Sequence, residues 1–296
     1  MPELPEVETV RRGLEKWILG KRIEDVEVFH RRATRSNSLL PLTAIKGARI
    51  TGLKRRGKFL WFVLDRDFAL VGHLGMSGQM LVPKIGTPDE SHLRVRIGLA
   101  KSSRELRFID QRTFGWLGID RLVETSFGDL PESCAHIAPD PFDDDFDMKS
   151  AIANIRGRKT EIKRALLNQE IVSGIGNIYA DEALWRAKIH PERIANRLSA
   201  KEVGSVLRSA KSVMRAALKK GGTSFDDLYI NVNGESGYFE ISLQAYGCEG
   251  EPCSRCGAEI RRISFANRSS HFCPKCQPRG RKITGNRGSN SRKRRG

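Results

Sequence analysis

Apolar residues recur at Val7, Val10, Leu14, Trp17 and Ile18, the spacing of one helical face, and Gly20 follows as a stop. The spacing predicts a helix over 6–20, entered through Pro5 at its first position, where a missing N–H is harmless. From residue 22 the period changes. Short apolar and β-branched runs at 22–29, 48–65, 68–82, 92–100 and 104–119 are joined by polar turns, which predicts antiparallel strands in a β-sandwich or flattened barrel. An acidic, proline-bearing stretch at 138–145 reads as an interdomain linker. Beyond it helical periodicity returns at 160–169, 177–187 and 200–220. In the last of these Val203, Val206, Leu207, Ala210, Val213, Met214 and Leu218 form a core stripe, with Ser199 as N-cap and Gly221-Gly222 as the end. A Gly-rich connection, a cysteine-bearing hairpin candidate and a basic tail complete the 296 residues.

Charge narrows the class. Lys and Arg number 52 against 35 acids, a net charge of +17, which points to a polyanionic partner. Eight of the basic residues lie in the acid-free tail from Arg279, so the rest of the chain still carries +9. No run approaches the ~18 consecutive apolar residues of a membrane span, and no charged-then-apolar leader opens the chain. A cytoplasmic location is expected, with no membrane partner.

Six cysteines in such a chain favour metal over disulfides. Cys253-x2-Cys256, sixteen residues, then Cys273-x2-Cys276 makes two knuckles whose four thiolates suit one tetrahedral Zn²⁺ with no open position, hence a structural ion. Cys248 breaks the knuckle spacing, and Cys134 reads as a core or surface thiol. The residues between the knuckles are basic, with Arg268 near the expected hairpin tip, and could follow a phosphate backbone.

Three further stretches could carry chemistry, and each has a bland reading beside it. Pro2, freed of Met1, would be a secondary amine with a pKa near ~8 and a nucleophile, with the Glu3 carboxyl beside it for proton transfer. A proline that only protects the terminus, ahead of a helix started by Pro5, explains the same residues. The run Gly174-Ile175-Gly176-Asn177 could offer free N–H groups of a helix start to a phosphate, or be a tight turn without a ligand. Lys159 is either a phosphate contact or a solvated charge. The turns Gly72 to Gly78 and Asp110 to Gly115 carry Met76, Arg112 and Phe114, which could wedge a base stack and fill the void of an extruded nucleotide, or simply pack in a core.

Together Pro2-Glu3-Leu4-Pro5-Glu6-Val7-Glu8, the Lys58-Phe59-Leu60 strand, His73 to Gly78, Asp110-x-Arg112-x-Phe114-Gly115, the Gly174 to Glu182 segment and the four-cysteine finger closely resemble the bacterial formamidopyrimidine-DNA glycosylases, from residue 2 to about 278. The resemblance implies an α+β multidomain chain: an N-terminal β-sandwich with flanking helices over 1–137, a linker over 138–148, a helix–two-turns–helix module with a lesion-recognition loop over 149–245, a zinc finger over 246–278 and a disordered basic tail over 279–296. It implies a monomer that binds damaged double-stranded DNA in the cleft between the halves, in the cytoplasm and nucleoid of a bacterium, and carries one structural Zn²⁺.

By the same resemblance Pro2 attacks C1′ of a flipped 8-oxoguanine or formamidopyrimidine nucleotide, and Glu3 handles the protons, with Glu6 in support. Lys58 matches the lysine assigned to β-elimination and Arg268 the arginine assigned to δ-elimination, although both groups, with pKa values above ~10, suit phosphate clamping better than proton donation. His92, Arg112, Lys159 and Asn177 match phosphate-binding positions. Met76, Arg112 and Phe114 match the void-filling and wedging residues, and Gly221 to Phe239 the loop over the extruded base. Gln111 stands where many members have proline, and Cys248 where a basic residue is usual. Two other readings use the same features: an endonuclease VIII-like enzyme for oxidised pyrimidines with the same proline, and a noncatalytic zinc-finger DNA-binding protein, which would not need the Pro2-Glu3 pair.

Overall fold

The computed structural model describes residues 2–35, 38–221 and 243–279. Met1, the expected loop over 221–239 apart from Gly221, and the basic tail apart from Arg279 lie outside the described residues.

Helix α1 spans Leu4–Ile18. Its N-cap is Glu3, which closes a capping box with Glu6, so Leu4 is the first helical residue and Pro5 stands one position deeper than the sequence suggests. Gly20 ends the helix in the left-handed region, as its spacing predicts. The apolar stripe divides between two cores. Val7, Val10, Leu14 and Ile18 pack into the strand-rich half, while Leu4 packs among the helices of the other half. One helix thus enters both cores, and its first turn lies at their junction.

Nine strands form the expected sandwich. One sheet pairs β1 (Ile23–Val28), β6 (Leu93–Leu99), β7 (Leu106–Asp110) and β5 (Gly78–Leu81) in that order. The other pairs β2 (Ile50–Arg56), β3 (Phe59–Leu64), β4 (Phe68–His73), β8 (Trp116–Thr125) and β9 (Gly128–Pro131). Each of the runs 48–65, 68–82 and 104–119 is two strands and a turn. The first is a hairpin within one sheet, turning at Gly57-Lys58, whereas the other two cross from sheet to sheet. Cys134 is a fully buried core thiol beside Trp61, and burial pushes its pKa up to about 12.

The second half contains α2 (Met148–Arg156), α3 (Ile162–Leu167), α4 (Asn177–Ala187) and α5 (Ala200–Lys219). Ser199 caps α5 through a capping box with Glu202, and the stripe from Val203 to Met214 is buried. A hairpin of β10 (Arg261–Phe265) and β11 (Arg268–Phe272) follows, its tip at Ala266 and Asn267, both in the left-handed region. The acidic stretch between the halves is clamped. Asp140 is fully buried and pairs with Arg55 at 2.7 Å, and Asp143 pairs with Arg56 at 2.7 Å.

Candidate active site

Pro2 is buried, and the residue after it is fixed by the other half of the chain. The Glu3 carboxylate accepts the N–H groups of Gly176 at 2.7 Å, Ile178 at 2.9 Å and Tyr179 at 3.4 Å. Its own N–H donates to Glu6 Oε2 at 2.8 Å, the Tyr179 hydroxyl donates to Glu6 Oε1 at 2.8 Å, and the Leu4 N–H donates to the Gly174 carbonyl at 3.1 Å. Residues 2–6 are therefore stapled to the start of α4.

This arrangement corrects the phosphate reading of the glycine run. The amides of Gly176, Ile178 and Tyr179 are taken by Glu3, and a Cβ on Gly176 would overlap that carboxylate. A Cβ on Gly174 would likewise run into Leu4. The glycines allow close approach, but of the chain's own N-terminal segment. Asn177 remains on the rim, its Nδ2 donating to the Ser269 carbonyl at 3.0 Å.

A cavity of about 590 Å³ opens here, lined by Glu3, Met76, Asn177, Tyr246 and Arg268 among others. Both halves and the hairpin contribute to it. Burial pushes the Glu3 carboxyl above its ordinary pKa, against the opposing pull of the Lys58 ammonium. Lys58, half-buried at the β2–β3 turn, is pushed below a lysine's usual value by loss of water and by Arg268, while Glu3 and Glu6 oppose that shift. Lys58 also helps hold His73 at about 4, after burial, so His73 is neutral; its Nδ1 accepts the Gly75 N–H at 3.1 Å. The Glu3 and Lys58 shifts have the same first cause, loss of water on burial, and such perturbed groups cluster at functional sites.

Met76 and Phe114 stand exposed on two turns that support each other. Gly75 has a φ of +60°, and a Cβ there would collide with the Phe114–Gly115 peptide. Buried Asp110 joins the turns: its carboxylate accepts the Ser77 hydroxyl at 2.5 Å, the Arg112 N–H at 3.2 Å and the Gly115 N–H at 2.6 Å. The core reading of Met76 and Phe114 is thereby excluded. Arg112 is exposed on the same ridge, and His92 lies beside it, its carbonyl accepting the Asp110 N–H at 3.0 Å. Lys159 is outside the cavity, exposed on the α2–α3 connection, where the Arg158 and Thr160 carbonyls accept the N–H groups of Asn196 and Ala195.

The sulfurs of Cys253, Cys256, Cys273 and Cys276 lie within 4.8 Å of one another. Four sulfurs about 2.3 Å from a common ion stand roughly 3.8 Å apart in a tetrahedron, so the set fits one structural Zn²⁺ and leaves no open position. Cys248 packs beside them without joining the set. The finger is docked by two acids of α4 that sequence reading passed over. Asp181 is fully buried, pairs with Lys163 at 2.6 Å, and accepts the Ser270 hydroxyl and the His271 N–H, each at 2.9 Å. Glu182 accepts the N–H groups of Gln244, Ala245 and Tyr246 at 2.9, 2.8 and 3.0 Å. The signal was an Asp-Glu pair inside an otherwise buried helical stretch, where charge needs partners.

Known proteins share this arrangement. Residues 1–117 match the formamidopyrimidine-DNA glycosylase N-terminal domain, 137–227 the formamidopyrimidine-DNA glycosylase H2TH domain, and 250–279 the zinc finger found in FPG and IleRS. The formamidopyrimidine-DNA glycosylase of Rhodococcus jostii is 57% identical over 288 residues, 95% of this chain and 98% of that one. That of a Nocardioides species is 56% identical over 95% of this chain and 96% of its own. A Lactococcus lactis FPG variant in complex with Fapy-dG-containing DNA superposes with a TM-score of 0.81 at 37% identity, covering 94% of this chain and 100% of that one. The Lactococcus lactis FPG bound to oxidised-pyrimidine DNA gives 0.80 at 38%, with 94% and 100% covered. With three family domains matched in order along it and relatives 56% and 57% identical over 95% of its length, the chain belongs to the formamidopyrimidine-DNA glycosylase family.

Proposed function

We propose that the protein is a base-excision repair glycosylase and abasic-site lyase for oxidised purines in DNA, with Pro2 as its nucleophile. The observation that carries this reading is the staple between Glu3 and the start of α4, which holds the residue before it beside a cavity lined by Glu3, Asn177 and Arg268. Once Met1 is removed, the Pro2 amine attacks C1′ of the damaged nucleotide, and the bond from C1′ to the base breaks. The Glu3 carboxyl, biased towards its neutral form, gives a proton to the sugar oxygen as the ring opens to an iminium. The iminium acidifies C2′; loss of that proton expels the 3′ phosphate, and a second elimination expels the 5′ phosphate. Water then releases the sugar remnant and restores the amine.

Lys58 and Arg268 act on these steps chiefly as cations beside the departing phosphates. His92, Arg112, Lys159 and Asn177 hold the backbone of the bound duplex, Met76, Arg112 and Phe114 occupy the space of the extruded nucleotide, and Glu6 fixes the Glu3 N–H. The four cysteines hold Zn²⁺, which shapes the finger that carries Arg268. The division of the chain at 138–148, action as a single chain, and a place in the cytoplasm on the nucleoid belong to the same reading.

Borohydride tests it. In the presence of duplex with 8-oxoguanine opposite cytosine, the processed protein is expected to be trapped as a covalent adduct at Pro2; no adduct from protein lacking Met1 rejects the proposal. An oxidised-pyrimidine duplex belongs in the same experiment, because the Lactococcus lactis relative has been captured on such DNA. Adduct on that duplex alone would favour the endonuclease VIII-like reading.

A further inference from the structure

The end of α4 lies against the four cysteines. Trp185, near the close of the helix at Ala187, is buried in one cluster with Cys253 and Cys273. The first knuckle grips it: Arg255 lays its guanidinium over the indole ring at 3.5 Å and donates to the Trp185 carbonyl. The second knuckle reaches the same end of the helix through buried Gln277. Its Oε1 accepts the Cys273 N–H at 2.9 Å, and its Nε2 donates to the Ile189 carbonyl at 2.9 Å. One polar group in this packing is left over. The Trp185 indole N–H is buried, and no oxygen or nitrogen among the described residues accepts it; the atom it acts on is the Cys253 sulfur.

We infer that Trp185 is a positioning residue of the metal centre, its indole N–H donating to the Cys253 thiolate when that sulfur binds Zn²⁺. This rests on the four cysteines being a zinc site and adds the group outside the finger that holds it. A neutral thiol is a weak acceptor, whereas a thiolate on Zn²⁺ is charged and a strong one. A buried donor left without an acceptor costs about 1–3 kcal/mol, so the indole N–H gains a partner at the moment the metal needs one.

Four thiolates carry more negative charge than one Zn²⁺ offsets, and N–H groups aimed at the sulfurs share the excess. The second knuckle has such a donor within itself, the Cys276 N–H to the Cys273 sulfur at 3.3 Å. Trp185 brings its counterpart to the first knuckle from α4. The Arg255 cation over the ring draws electron density from the indole, which makes its N–H a stronger donor. Asp181 and Glu182 already hold the hairpin and the chain before the finger. Trp185 extends that hold, one turn further along the same helix, to the metal itself.

The test uses the full-length protein with ¹⁵N-labelled tryptophan and its zinc replaced by ¹¹³Cd. One of the four indole N–H signals is expected to show scalar coupling to ¹¹³Cd and to lose it when the spin-silent ¹¹²Cd is used instead. That signal should be missing from Trp185→Phe, which keeps a ring beneath Arg255 and removes the N–H. Zinc-loaded Trp185→Phe is expected to pass its metal to a colorimetric chelator about tenfold faster than wild type, the scale of a lost partner to a metal ligand. The coupling is read on wild type and so does not depend on how the variant folds. If no indole couples to cadmium, Trp185 is a packing residue, even where the variant loses zinc faster. If the coupled signal persists in Trp185→Phe, another tryptophan is the donor, and if the signal vanishes while zinc transfer keeps its wild-type rate, the hydrogen bond positions nothing; each result overturns the assignment. Wild type that holds no zinc would instead reject the metal reading itself, and the two failures are distinct.

Discussion

Oε2 of Glu3 accepts the Gly176 N–H at 2.7 Å, joining residues 173 positions apart and anchoring the N-terminal segment to the start of α4. The contact is possible only because residue 176 has no side chain, since a Cβ there would overlap the carboxylate. Gly176→Ala must therefore displace Glu3. Base excision under single-turnover conditions is expected to fall by about two orders of magnitude, the scale of a lost positioned acid–base group, while duplex binding changes little. Excision within about threefold of wild type would show that Glu3 does not need this anchor.

The Lys58 turn has its own strap. Arg55 donates to the Gly57 carbonyl at 2.9 Å and to Asp140 at 2.7 Å, and Asp140 also accepts the Gly57 N–H at 3.4 Å. Removing the buried acid leaves Arg55 with Glu8 and the Gly57 carbonyl and takes away the acceptor of the Gly57 N–H, which loosens the peptide before Lys58. Asp140→Asn is expected to lower stability by about 3 kcal/mol. At temperatures where the variant is folded, it should slow strand scission more than base release. Measuring the two products in one time course checks this; equal slowing of both steps would mean that the strap acts on the fold alone.

Much of this was legible from spacing. The α1 stripe, the strand runs, the α5 stripe and the cysteine knuckles follow from periods of 3.6 and 2 and from metal geometry, which local sequence encodes directly. What spacing could not reveal was which partner took each polar group. The amides at the start of α4 looked available to a phosphate, yet a carboxylate from residue 3 occupies them. Asp140 looked like linker composition and is a fully buried anchor. Asp181 and Glu182 fell within the predicted 177–187 helix with no partner legible, and they are the dock of the finger. Each is a long-range pairing, and a single sequence does not encode pair identities.

Glu8 links α1 to β2 through Arg55 at 3.1 Å and also meets Arg11 at 2.9 Å and Arg12 at 2.6 Å. Burial alone would raise its pKa, but the Arg11 hydrogen bond and the charge of Arg55 bring it down to about 2. A carboxyl whose pKa is depressed by folding stabilises above its unfolded value, near 4.5, and loses that contribution as pH falls towards 2. Glu8→Gln is therefore expected to be less stable than wild type by about 3 kcal/mol at pH 7. The gap should close progressively between pH 4.5 and 2. Denaturant melts across that range test it, and a gap independent of pH would assign the loss to packing.

The finger depends on both its metal and its dock. Zinc removal by a chelator, or Cys256→Ser, is expected to release one ion per chain and weaken duplex binding by more than tenfold while the melting of the β-sandwich persists. Asp181→Asn attacks the dock without touching the ligands. It leaves the buried Lys163 ammonium without its carboxylate, held by the Ser269 carbonyl at 3.0 Å and the Phe265 ring at 5.4 Å, a loss of about 3–5 kcal/mol. Zinc content should stay at one per chain while DNA affinity drops. Wild-type affinity in that variant would separate the finger's position from DNA binding.

The most demanding prediction concerns Pro2, because its nitrogen is a nucleophile only when nothing is attached to it. An amide nitrogen has its lone pair delocalised into the carbonyl, whereas a terminal secondary amine, with a pKa near ~8, is partly free at neutral pH. A chain given an extra lysine between Met1 and Pro2 keeps the staple residues Glu3, Leu4 and Glu6 but makes the proline internal. It is expected to bind a tetrahydrofuran-containing duplex within about tenfold of wild type, to give no borohydride adduct, and to leave 8-oxoguanine duplex uncut. The separation matters more than the loss. If binding and cutting fell together, the added residue would have disturbed the site as a whole; if cutting survived, another amine would have to be the nucleophile, and Lys58, whose pKa is already pushed down by burial beside Glu3, would be the one to substitute next.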